Sequence, residues 1–144
     1  MHPYQDQVNR MWPLIEKYSR AIKNAYWIET LCLSYTLLEM GLRLLLSSKA
    51  GPSQFPPPRA DIDRYEYLST LANFARDEGY LEEALRDRIM EFNNARRLAI
   101  HRLAQGEISY DDLEATAKTA GQLMGDIQEI WLPKKIGEEE KRPE

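Results

Sequence analysis

The stretch EFNNARRLAIHRL, residues 91–103, sets Arg96 and His101 within one short run. An arginine is a planar cation that stays charged at any working pH. A histidine titrates near neutrality and can take or give a proton. Together they are the ingredients of anion binding and proton transfer. Their setting makes the arginine unusual. On a wheel of roughly 100° per residue, Leu81, Leu85, Ile89, Phe92, Ala99, Ile100 and Leu103 fall on one side of a helix. Arg96 falls near the centre of that side. A guanidinium in a dry core costs several kcal/mol, about 3 or more, unless it is paired. Arg96 therefore needs an acidic partner, or its face must open onto a groove or another subunit.

His101 lies about 140° from Arg96 on an ideal helix. Arg97 and His101 are one turn apart and share a face with Asn94, so these three form a polar strip. Plainer readings stand beside the chemical one. Arg96 can snorkel, or pair with Glu39 or Glu29 of another helix. His101 can be a surface residue near a helix C-terminus, where its charged form suits the dipole. One histidine and one arginine make no metal site, because zinc wants three or four ligands. The chain has no Walker A loop, G-x-G-x-x-G, serine triad signature or H-E-x-x-H. No cofactor is expected.

Helices must position these residues. Trp12, Ile15, Tyr18 and Ile22 recur at helical spacing in a first helix from about Tyr4 to Asn24. A second, from about Tyr26 to Ser48, is apolar almost all round and should be central. Glycine and proline gather in AGPSQFPPPRAD, residues 50–61, the main internal loop. Pro56 to Pro58 read as a stiff connector rather than a polyproline ligand. Asp61 is a candidate N-cap for a third helix, ended by Gly79. The fourth spans about Leu81 to Gln105 and stops at Gly106. Ser109 and Asp112 have capping-box spacing before a fifth that runs to about Leu132. No segment alternates with period two over strand length. The expected fold is all-α, an up-and-down bundle of four to five helices over residues 1–133. A charged tail follows at 134–144.

The chain has 144 residues, 43% of them hydrophobic and 29% charged, the balance of one globular domain. Its net charge of -4 argues against a nucleic-acid-coated protein but leaves room for a local basic patch. Arg86, Arg88, Arg96, Arg97 and Arg102 against Asp87 and Glu91 make the fourth helix such a patch. Cys32 is the single cysteine, which excludes a disulfide within the chain. Inside its apolar run it reads as a small buried hydrophobe rather than a nucleophile. The N-terminus lacks a signal-peptide pattern, and Glu29, Glu39 and Arg43 disfavour a membrane location for residues 28–46. A cytoplasmic protein is expected.

Arg96, four intervening residues and then His101, late in the fourth helix of an all-α chain, resembles the R-x4-6-H signature of the HEPN superfamily. The resemblance extends over about residues 20–130. YTLLEMGLRLLL is similar to the family's second core helix, with an acid, Glu39, and a base, Arg43, one turn apart. Residues 67–101 are similar to the segment leading into the motif, and 106–127 to the closing helix. The resemblance implies a HEPN-like homodimer whose two motif copies line a shared cleft. It implies a metal-independent endoribonuclease, as in toxin–antitoxin pairs or defence systems. Arg96 and His101 would be its catalytic pair, with Asn93, Asn94, Arg97 and Glu39 as supporting or RNA-binding residues. An antitoxin protein such as a nucleotidyltransferase is an implied partner. Two positions depart from the family pattern. Arg97 stands where a small polar residue is common, and Leu103 where a subfamily has a modified tyrosine. The other reading is a non-catalytic HEPN module that binds a nucleotide or a partner protein. A plain helical interaction protein, with Arg96 paired to Glu39 or Glu29, is a third.

Overall fold

The computed structural model describes residues 5–50 and 67–131. Within them the chain forms α1 (Gln5–Lys23), α2 (Trp27–Ala50), α3 (Tyr67–Asp77), α4 (Glu83–Ala104) and α5 (Glu114–Trp131). A 3-10 turn, Tyr110–Leu113, leads into α5. No strand occurs among the described residues, so the fold is an all-α helical bundle. The Pro56–Pro58 connector, the Asp61 cap and the tail at 134–144 lie outside the described residues.

The helix ends follow local chemistry. Gly79 and Gly106 take φ of 78° and 74°, the left-handed conformation that a glycine adopts without a Cβ clash. Each closes a helix with paired backbone bonds. Tyr80 N–H donates to the Ala75 carbonyl at 2.9 Å, and Glu107 N–H to the Arg102 carbonyl at 2.9 Å. The end of α1 has no glycine. There Ala25 adopts φ 58°, while Tyr26 N–H donates to the Ala21 carbonyl at 2.8 Å. Ahead of α5, the Ser109 N–H and hydroxyl both donate to Asp112 Oδ2, at 2.8 and 3.0 Å.

Helix α2 is the central element, as its all-round apolarity requires. One side carries Leu31, Leu38, Leu42 and Leu46 into the main core with α3, α4 and α5. Leu37 and Leu44 point the other way, into a smaller cluster with Val8 and Met11 of α1. Helix α4 follows the expected face only in its first half. Leu85, Ile89 and Phe92 are buried, whereas Ala99, Ile100 and Leu103 are only partly covered. Leu98 is 49% exposed. Beyond Asn93, α4 contributes no buried residue. The core is spent before α4 ends, and the site begins at that point.

Between α1 and α5, Gly121 makes room for Tyr18, whose hydroxyl would lie 3.1 Å from any Cβ added there. Burial raises the Tyr18 pKa, and the Ser34 hydroxyl pulls it partly back. A phenol whose folded pKa exceeds its unfolded value supports the fold below the unfolded pKa. That support is lost as pH rises through the folded pKa. The unfolding temperature should therefore fall as pH rises above about 10. Thermal melts should show a shallower fall in Tyr18→Phe.

Candidate functional site

Arg96 sits where core coverage of α4 ends, and it is half-buried. Its guanidinium carbon lies over the Tyr35 ring of α2, 4.4 Å from the centroid. That is within cation–π range. One terminal nitrogen, Nη2, donates to Asn93 Oδ1 at 3.1 Å. Asn93 is only 1% exposed, one turn before Arg96 on the same helix. Two helices thus hold one cation, α2 through a ring face and α4 through an amide oxygen.

The hydrogen bonding here is unfinished. Arg96 Nε and Asn93 Nδ2 are buried and meet no acceptor among the described residues. Burial lowers the Arg96 pKa, and nearby Arg97 lowers it further. Electrostatic interaction with Tyr35, and then with Cys32, works in the opposite direction. An arginine so perturbed remains charged at neutral pH, because its ordinary pKa is so far above it.

The alternative in which Arg96 pairs with Glu39 or Glu29 is not what the structure holds. Among the described residues Arg96 makes no ion pair. Glu29 is exposed. Glu39 is 8% exposed and faces Arg43, its one-turn neighbour, at 3.9 Å. The physical reason is register. Tyr35, one turn before Glu39, occupies the space against Arg96, so the guanidinium meets a ring rather than a carboxylate.

The arginine-rich character of α4 is also narrower than its sequence. Arg86 bonds Asp87 at 2.7 Å and Asn73 at 2.8 Å. Arg88 pairs with Asp126 of α5 at 2.7 Å, and Arg102 lies 4.0 Å from Glu107. These contacts place a carboxylate beside three of the five arginines. Arg96 keeps its charge.

Asn94, Arg97 and His101 are all exposed, as the polar strip requires. His101 lies on a different face of α4 from Arg96. The fold therefore unites Arg96 with Asn93 and leaves His101 facing solvent. Among the described residues no three His, Cys, Asp or Glu side chains converge as metal ligands.

Tyr35 was not legible as a site residue. Its one signal is a polar-tipped aromatic in the apolar run LSYTLLEM. Cys32 requires a correction, since it is exposed rather than buried. It lies near Arg96. An accessible thiol should react with a disulfide reagent in the native protein, giving one equivalent at the same rate with and without denaturant. A thiol that reacts only after unfolding would contradict that placement.

No family model, curated protein or solved structure matches this chain.

No helix among the described residues is long and apolar enough to cross a membrane.

Proposed function

We propose that this bundle is a HEPN-type endoribonuclease that cuts RNA without a metal ion. The observation that carries the reading is Arg96. It is half-buried, held by Tyr35 and Asn93, and free of any carboxylate among the described residues. A plain interaction bundle would neutralise such a charge. A site for a phosphodiester would keep it.

The chemistry follows from two residue types. The RNA 2'-hydroxyl loses its proton to a base and attacks the adjacent phosphorus. The new P–O bond forms as the bond to the 5'-oxygen breaks, leaving a cyclic phosphate and a 5'-hydroxyl. The leaving oxygen takes a proton from an acid. Histidine serves either proton step near neutral pH. The arginine fork balances the charge that builds on the phosphoryl oxygens.

One chain offers one exposed His101, and on a different face from Arg96. Two proton-transfer groups then call for a second copy, and a two-fold dimer supplies them. The half-covered end of α4, with Leu98 exposed and Ile100 and Leu103 partly so, offers apolar surface for that second copy. A toxin restrained by an antitoxin, in the cytoplasm, is the setting this activity fits. Asn94 and Arg97, beside His101, would contact the RNA backbone.

The test is cleavage of single-stranded RNA by the purified protein in EDTA, with the oligomeric state measured by sedimentation. Cutting that survives chelation supports the reading. Cutting that chelation abolishes sinks the mechanism. A protein that binds RNA or a nucleotide but cuts nothing is a non-catalytic binding module instead.

A further inference from the structure

We propose that Tyr35 is the positioning residue for Arg96, holding the guanidinium in one pose while leaving its charge available. This rests on the ribonuclease reading of the same site.

The geometry supports that role in three ways. First, the ring lies 4.4 Å from the guanidinium carbon, so the planar group has a face to rest on. Second, Tyr35 belongs to α2, which is packed on both sides by core leucines. Third, Asn93 fixes the other end of the guanidinium from α4 at 3.1 Å. Arg96 Nε makes no hydrogen bond among the described residues, so the ring and the amide carry the restraint.

Chemistry explains why a ring suits this place. A free arginine samples many rotamers, with about 2 kcal/mol of side-chain entropy. A carboxylate would fix it equally well but would cancel the charge that a phosphate needs. An aromatic face attracts the cation through its quadrupole and takes none of the charge away. The guanidinium is thus ordered before substrate arrives, and little is lost when the phosphoryl charge develops.

The experiment compares the full-length parent with Tyr35→Leu and Tyr35→Phe. Leucine keeps the bulk and removes the ring. Phenylalanine keeps the ring and removes the hydroxyl. Two readouts are taken on each. The first is kcat and KM for a short RNA in EDTA. The second is the NMR signal of the Arg96 Nε–H, assigned by its loss in Arg96→Lys. A proton held near an aromatic face is displaced by the ring current, and a buried one exchanges slowly.

Tyr35→Leu should lose the ring-current shift and speed exchange. Its kcat should fall by on the order of a hundredfold while KM stays within about twofold. Tyr35→Phe should keep the shift and retain kcat within about threefold. An Arg96 signal unchanged in Tyr35→Leu overturns the positioning role, whatever the activity. Parent-like kcat in Tyr35→Leu with the shift lost also overturns it, because the pose then does not matter. A parent that cuts no RNA, with the shift lost only in Tyr35→Leu, defeats the ribonuclease reading and leaves the Tyr35 clamp standing.

Discussion

His101→Ala and Arg96→Ala should each lower metal-free RNA cleavage by about a thousandfold, with the helical fold retained. His101 is exposed at the end of α4. Replacing such a residue changes stability by about 0.5 kcal/mol or less. A large loss of activity in a folded His101→Ala protein then belongs to the site and not to the fold, and a loss in kcat with KM unchanged assigns it to proton transfer. Arg96 is half-buried, but its contacts are one ring face and one hydrogen bond. Its removal also takes away a buried Nε that has no acceptor among the described residues. Against this, the buried Asn93 Oδ1 loses its donor, so the net cost to stability should be about 1 kcal/mol. The loss of activity should be large, because Arg96 is the guanidinium held in one pose by the Tyr35 ring and Asn93. Initial rates in EDTA, beside circular dichroism and sedimentation, separate chemistry from folding. Equal activity in parent and His101→Ala would remove the histidine from the mechanism.

The second large effect belongs to Asn93. Asn93→Leu should reduce kcat by roughly tenfold to a hundredfold, as expected when a catalytic group loses its orientation. The same change should leave the fold as stable or raise its stability by about 1 kcal/mol. The two directions share one cause. Asn93 is buried, as are Leu85, Ile89 and Phe92 of its own helix. Its Oδ1 holds Arg96, which fixes the amide orientation, since a guanidinium only donates. Its Nδ2 is left buried without an acceptor among the described residues. A buried donor in that state costs about 1–3 kcal/mol. Leucine has the same branched skeleton of side-chain heavy atoms and no such donor. A site that spends stability to place a charge is expected to gain it back when the placement is abolished. Urea titration and steady-state kinetics on the same preparation check both halves. A variant several kcal/mol less stable, by about 3 or more, would make Asn93 a structural keystone of the core instead.

Much of the architecture was legible because it rests on local chemistry. Gly79 and Gly106 mark helix ends, since the left-handed turn there tolerates no Cβ without strain. Ser109 and Asp112 announce the start of the last helix through a side chain that reaches only three residues. The all-round apolarity of α2 foretells its central place, because such a helix must be covered on every side. The break at Ala25 was also legible from the two apolar patterns on either side of it, although alanine carries no turn signal and its φ of 58° appears only in the structure.

Periodicity also has a limit that α4 illustrates. Leu85, Ile89 and Phe92 continue smoothly into Ile100 and Leu103 on the wheel, yet burial stops at Asn93. Spacing along one helix states which residues share a face. It does not state how far the neighbouring helices extend along that face. Cys32 was misread for the same reason. Its apolar neighbours in sequence face the core, while its own position on α2 faces outward.

The sequence by itself determined the all-α class and the helix order, because these depend on residue types and short-range spacing. Only the tertiary structure decided that Arg96 meets the Tyr35 ring rather than the Glu39 or Glu29 carboxylate. That choice depends on the axial register of α2 against α4. A shift of one turn along α2 would exchange Tyr35 for Glu39 beneath the guanidinium and quench its charge. Register is set by how the core leucines of α2 fit against α3, α4 and α5 together, a property of the packed bundle that no single segment contains.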